Sequence, residues 1–237
     1  MDPVIQLIRD DLQASADPAT KQSASRFFKE EIRCYGVKTA TVAKIAQKHW
    51  KDVRSREKEE IFGLCEELYR SQVMEEAFVV SNWVPHLKDR FEPGDFSVFE
   101  RWIETYISNW AMCDGFCNHT MGDFVMMFPG FIGNLKVWTG SKNRWVRRAS
   151  AVSLIIPARR GHFLSDVLEI AGLLLTDEDD MVRKGYGWML KEAGKPHEDE
   201  IFAFVMQNKK EMPRTALRYA IELMPKERKL EAMKKDW

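Results

Sequence analysis

Apolar residues return along this chain at helical spacing almost everywhere and alternate at strand spacing almost nowhere. Ile61, Leu64, Cys65 and Leu68 share one face of a 3.6-residue period, and from Asn143 onward Trp145, Ala149, Val152 and Ile156 recur at i, i+4, i+7 and i+11. The breaks between such runs are short and carry helix punctuation. Asp17-Pro18 offers an N-cap with proline at the first helical position, Glu92-Pro93-Gly94-Asp95 reads as a turn, and Lys195-Pro196, Met212-Pro213 and Met224-Pro225 close or open later segments. The pattern predicts an all-α chain of about twelve helices of roughly 10 to 17 residues, with no hairpin turn. No linker parts two domains, so a single domain over residues 1–237 is expected.

A repeat lies on top of this periodicity. Val73-Met74-Glu75-Glu76-Ala77, Asn109-Trp110-Ala111-Met112-Cys113, Trp145-Val146-Arg147-Arg148-Ala149 and Met181-Val182-Arg183-Lys184-Gly185 align at a period of 36 residues, with the small residues Ala77, Cys113, Ala149 and Gly185 at one position. A small side chain at a fixed helical position lets neighbouring helices approach closely. A period of ~30 to ~47 residues made of two helices is the size of an α-solenoid repeat of the HEAT class. An ordinary bundle with small residues at chance spacing shares part of this signature; the closely matched third and fourth pentads favour the solenoid.

Composition narrows the class. At 237 residues with 45% hydrophobic content the chain can bury a sizeable core, and no apolar run approaches the ~18 residues of a membrane span, Ile170 to Leu175 and Phe124 to Ile132 falling well short. Met1-Asp2-Pro3-Val4 carries an acid where a secretory leader carries positive charge, and the four cysteines, Cys34, Cys65, Cys113 and Cys117, make no disulfide framework. The expectation is a cytoplasmic protein with no membrane partner, nucleoid-associated in a prokaryote, acting as a monomer.

Thirty-six basic residues balance thirty-six acidic ones, which on its face argues against nucleic acid held by bulk charge. The distribution is uneven, however. Residues 71–141 hold four Lys and Arg against nine Asp and Glu, and residues 142–195 hold ten against seven. Arg147, Arg148, Arg183 and Lys184 occupy equivalent positions in successive repeats, with Lys142 and Arg144 at the head of the same helix. Each alone reads as part of a solvated helix face; in register they form a stripe able to track a phosphate backbone.

Gly185-Tyr186-Gly187 lies mid-helix after no strand and is no phosphate loop. Cys113, Cys117 and His119 could offer metal ligands from one helix, but Cys113 is already the small packing residue of the repeat, so no metal or cofactor is expected. One constellation has more chemistry. Trp110 and Asp114 are four apart on one helix face, and Arg148 and Trp188 fall on the corresponding helices of the next two repeats. Two indoles, a carboxylate and a guanidinium so placed suit a cationic ligand; core tryptophans and a structural Asp114–Arg148 pair fit the same pattern.

At these residues the chain resembles the HEAT-like-repeat DNA glycosylases of the AlkD type, the DNA alkylation repair family. The resemblance rests on Asn109-Trp110-Ala111-Met112-Cys113-Asp114 with Gly122-Asp123 downstream, on Asn143-Arg144-Trp145-Val146-Arg147-Arg148-Ala149, and on Lys184 through Glu192. An amino-terminal piece, Arg26-Phe27-Phe28-Lys29 followed by Tyr35-Gly36-Val37-Lys38-Thr39, is similar to the family's second helix and the turn after it. The resemblance implies hydrolytic excision of cationic alkylated purines, such as 3-methyladenine and 7-methylguanine, from double-stranded DNA, leaving free base and an abasic site. Asp114 then stabilises the oxocarbenium-like sugar and positions water, Trp110 and Trp188 pack against the deoxyribose, and Arg148 holds the nearby backbone. Phe27, Lys29, Arg144, Arg147, Arg183 and Lys184 are the implied DNA contacts.

Three positions depart from the family pattern. Phe27 stands where tyrosine is common, and Ala40 and Ala43 stand where proline and arginine often follow the turn. Each removes a polar reach toward a phosphate, which weakens binding and flattens its salt dependence. Because the family also holds members that bind unusual DNA without efficient excision, a non-catalytic protein for distorted or branched DNA is the alternative expectation.

Overall fold

The computed structural model describes residues 2–235; residue 1, which opens the stretch unlike a secretory leader, and residues 236 and 237, the far end of the expected domain, lie outside them. The chain divides into two compact units, Met1–Phe116 and Cys117–Trp237. Among the described residues there is no strand, only an isolated parallel bridge between Arg33 and Val73.

The first unit holds α1 (Pro3–Ala14), α2 (Pro18–Phe27), α3 (Thr39–Val53), α4 (Lys58–Arg70), α5 (Met74–Trp83), α6 (Asp95–Tyr106) and α7 (Trp110–Phe116), with a 3-10 segment at Val84–Arg90. Helices α1, α3, α5 and α7 pack in series as one layer, and α4 and α6 pack beside them as the other. The second unit holds α8 (Gly122–Met127), α9 (Ile132–Trp138), α10 (Arg144–Val152), α11 (Ile155–Arg159), α12 (Leu164–Leu173), α13 (Asp180–Ala193), α14 (Glu198–Asn208), α15 (Arg214–Ala220) and α16 (Lys226–Met233). Here α10, α13 and α15 run in series, with α9, α12, α14 and α16 in the second layer. The four pentads begin or open α5, α7, α10 and α13, and their small residues are all buried. At Gly185 a Cβ would sit 3.3 Å from Arg148 Cγ and 3.6 Å from Val152 Cγ2, so the smallest side chain of the four stands where α10 comes closest to α13.

Sixteen α-helices replace the expected twelve, and several are shorter than ten residues. The run beginning at Trp145 shows why. Trp145, Ala149 and Val152 are buried together as expected, but the helix breaks at Ser153 and Leu154, and Ile156 belongs to α11. Pro157 has no N–H for the Ser153 carbonyl, and the Ser153 hydroxyl bonds back to Ala149 O at 2.7 Å, a contact that bends a helix.

Caps start the helices where the sequence placed them. Asp17 accepts from Thr20 N at 2.9 Å with Pro18 at the first position of α2, Asn143 accepts from Trp145 N at 2.9 Å, and Asp179 accepts from Met181 N at 2.8 Å. The polar contacts that join one helix to another span about one repeat. Lys58 pairs with Asp95 at 3.0 Å, Arg101 with Glu66 at 2.7 Å, Arg144 with Asp179 at 3.1 Å and Arg159 with Glu192 at 2.7 Å, separations of 37, 35, 35 and 33 residues. Trp83 Nε1 donates to Ala46 O at 2.8 Å across 37.

Candidate active site and nucleic-acid interface

Asn109 opens α7. Its buried side chain accepts from Met112 N at 3.0 Å and its carbonyl from Cys113 N at 3.1 Å, so the helix begins at Trp110. Met112, Cys113 and Phe116 then point into the core, leaving Trp110 and Asp114 half-buried, one above the other. Directly after α7 the helix widens into a π segment, Cys117–Met121, in which Thr120 Oγ1 and Asn118 Oδ1 are buried without a hydrogen-bond partner among the described residues. Sequence reasoning passed over this segment; the weak helix formers Asn118, His119 and Thr120 in succession were the available signal. Cys113 and Cys117 are buried free thiols, and no cluster of three or more potential metal ligands occurs among the described residues.

The amino-terminal motif comes to Trp110. The rings of Phe28 and Trp110 are stacked, with centroids 5.3 Å apart and planes at 18°, and Phe27 meets Trp110 edge-on at 5.8 Å. Phe27, at the last turn of α2, is 69% exposed, and Lys29 in the loop beyond is exposed as well. What anchors this end of the chain is a buried carboxylate. Glu75, 1% exposed at the start of α5, accepts the backbone N–H groups of Tyr35, Gly36 and Val37 at 3.0, 2.8 and 3.0 Å. Gly36 has φ +92°, and a Cβ there would lie 2.7 Å from Asp17 O, so the turn requires glycine. Glu76 beside it accepts from Arg9 at 3.1 Å and from the Tyr35 hydroxyl at 2.8 Å. Burial first, and then this hydrogen bond, push the Tyr35 phenol well above its ordinary range.

In the second unit Arg148 is 4% exposed, its guanidinium donating to Met181 O at the head of α13 while its stem covers Gly185. Trp188 is half-buried on α13, and its indole N–H donates to Glu192 Oε1 at 3.3 Å. Glu192 also takes Arg159 at 2.7 Å and Lys195 at 2.6 Å. Burial works to raise this carboxyl, but the bonds from Arg159 and Lys195 outweigh it and hold it below the usual carboxylate range. A permanently ionised Glu192 therefore fixes the edge of the Trp188 ring, a role the sequence reading did not assign.

The basic stripe keeps its register but not its availability. Arg147 grips Asp177 at 2.6 Å, Arg183 donates to Asp177 O, Lys184 pairs with Asp180 at 2.8 Å, and Arg144 pairs with Asp179 while lying 4.4 Å over the Trp145 ring. The acidic run Asp177 to Asp180 sits at the head of α13, one turn from these cations, and absorbs them. Unengaged positive charge lies elsewhere. Residues 21–56 carry ten Lys and Arg against three Asp and Glu, a count as accessible from sequence as the one made for residues 142–195. Of these, Lys48 and Arg56 pair with Asp11 and Asp2, whereas Lys21, Arg26, Arg33, Lys38, Lys44, Lys51 and Arg54 form no ion pair among the described residues.

A model of the family described as DNA alkylation repair enzyme matches residues 8–224. No curated protein sequence matches the chain. Among solved structures, a "Predicted DNA alkylation repair enzyme" from Enterococcus faecalis is similar with a TM-score of 0.80 and 16% identity, over 90% of this chain and 98% of that one. AlkD2 from Streptococcus mutans gives a TM-score of 0.59 at 19% identity over 86% and 98%. The alkylpurine DNA glycosylase AlkC of Pseudomonas fluorescens, solved bound to DNA containing an abasic site analog, gives 0.51 at 17% identity over 97% of this chain and 65% of that one. These likenesses show a shared helical-repeat fold, that of the α-solenoid implied by the 36-residue period. With the family model spanning all but the ends of the sequence, the chain belongs to the DNA alkylation repair enzyme family.

Proposed function

We propose that the protein is a monofunctional alkylpurine DNA glycosylase, hydrolysing the N-glycosidic bond of cationic bases such as 3-methyladenine and 7-methylguanine in double-stranded DNA. Family membership supports DNA alkylation repair, and the observation that carries the finer reading is the joint presentation of Trp110 and Asp114 on the half-buried face of α7. An alkylated purine departs as a neutral base, taking the electron pair of its C1′–N bond and leaving positive charge on the sugar. A fixed carboxylate beside that carbon stabilises the charge and orients water for attack at C1′, an electrostatic task that needs no deep pocket. Trp110 and Trp188 supply ring faces for the cationic sugar and base, with Glu192 holding the second ring in place. The resemblance assigns no lysine nucleophile, so strand cleavage is not expected.

Base release from methylated duplex DNA, followed by chromatography, tests this directly. The Asp114→Asn variant is expected to lose activity by about 100-fold or more; full activity in that variant sinks the mechanism. The stacked Phe28 favours a second reading, since it occupies a face of Trp110 that a nucleotide would use. Under it the protein binds distorted or branched DNA without excision, and the wild type shows junction binding with no base released.

A further inference from the structure

Helices α3 and α5 enclose a cleft of about 260 Å³ in the first unit, remote in sequence from Trp110 and Asp114, and nothing above gives it a task. Its volume falls below the ~300 Å³ at which sites for drug-sized molecules begin, which suits one planar group rather than an extended molecule. The floor is built. Trp83 is fully buried and pinned to Ala46 O, Trp50 packs on it half-buried at 6.1 Å, and the exposed ring of His86 stacks on Trp50 with centroids 5.1 Å apart and planes at 24°. Trp50 and His86 are one 36-residue period apart, so the repeat itself brings them into register.

The rim is polar and cationic. Asn82 spends its amide N–H on Phe78 O at 2.7 Å, which leaves its carbonyl oxygen as an acceptor beside the Gln47 amide. Lys44, Gln47, Lys51 and Arg54 recur at i, i+3, i+7 and i+10 on the exposed face of α3, and none of the three cations is ion-paired among the described residues. Ala43 lines the cleft, and a longer side chain there would fill it.

An aromatic surface open to solvent, fixed amides beside it and a row of uncommitted cations alongside make the combination that holds unstacked bases on a tracked backbone. We propose that this cleft binds a single unstacked nucleotide, its base against the Trp50–His86 pair and its phosphates on Lys44 and Lys51. The proposal rests on DNA as the partner but not on excision.

The test is fluorescence anisotropy of a labelled oligothymidylate and a labelled duplex of equal length on the full chain, with dTMP as competitor. His86→Ala, an exposed truncation, and Ala43→Leu, which fills the cleft without altering charge, should each weaken single-strand binding roughly tenfold while moving duplex binding little. Displacement by dTMP identifies a free nucleotide as a sufficient ligand; binding of the oligonucleotide without dTMP displacement identifies a strand as the source. Unchanged single-strand affinity in both variants overturns the site, as does an equal loss for duplex and single strand, which marks a general backbone contact. Absence of any DNA binding at low salt overturns this proposal and the proposed function together, whereas duplex binding with no cleft effect overturns this one alone.

Discussion

Gly187 tolerates no side chain. A Cβ there would lie 2.7 Å from Tyr219 Cβ and 2.8 Å from Ala216 O, both on α15, and backbone cannot yield as a flexible side chain can. Gly187→Ala should therefore lower stability by about 1–3 kcal/mol although alanine is the better helix former, read from the urea midpoint. The position looks in sequence like half of a Gly-x-Gly motif; only the packing of α13 on α15 reveals its purpose. Trp110 and Asp114 were legible because they are four apart within one helix. The stacking of Phe28 on Trp110 was not, since 82 residues of chain separate them and no periodicity encodes that meeting. Arg148 was placed on the right helix, but its burial depends on the missing side chain at Gly185, 37 residues later.

At the scale of elements, the polar staples between helices decide how the fold responds to acid. Glu66 on α4 is held by α6, accepting from Arg101 at 2.7 Å, Tyr106 at 3.1 Å and Trp102 at 3.4 Å. The Arg101 hydrogen bond leads in lowering its carboxyl to about 2 from an ordinary 4.5. Because the folded value lies below the unfolded one, the stabilisation is full above about pH 5 and disappears as pH falls toward 2. Glu66→Gln is expected to cost about 2 kcal/mol at pH 7, with its urea midpoint converging on the wild type by pH 2–3. A gap independent of pH would assign the effect to packing. The pairing of α4 with α6 follows from period and hydrophobic face alone. The positions of the short breaks do not, because a break such as that at Ser153 needs both Pro157 and a hydroxyl turned back on its own helix.

For the molecule as a whole, zero net charge conceals an uneven division of labour. The cations between Asn143 and Glu192 mostly serve the fold, and those between Lys21 and Arg54 mostly do not. A residue count reports both groups alike, and only the acidic partners at Asp177 to Asp180 separate them. If the unpaired group meets phosphate, Arg26→Ala combined with Lys38→Ala lowers the slope of log affinity against log salt by up to about 2 on duplex DNA. Arg147→Ala leaves that slope unchanged and lowers stability instead. Titrations between low and physiological salt read both effects, and a slope change confined to Arg147→Ala would reverse the assignment.

The one-repeat spacing of the polar contacts has a consequence for how the chain folds. Lys58 to Asp95, Arg101 to Glu66, Arg144 to Asp179 and Arg159 to Glu192 each close a loop of 33 to 37 residues. The closure entropy grows only with the logarithm of loop length, so each of these steps costs nearly the same. Order in either unit can start at any neighbouring pair of repeats and spread to the next, rather than waiting for distant strands of chain to find one another. Arg9 to Glu76, a span of 67 residues, is the exception, and it makes the amino-terminal helices the part of the first unit that joins last.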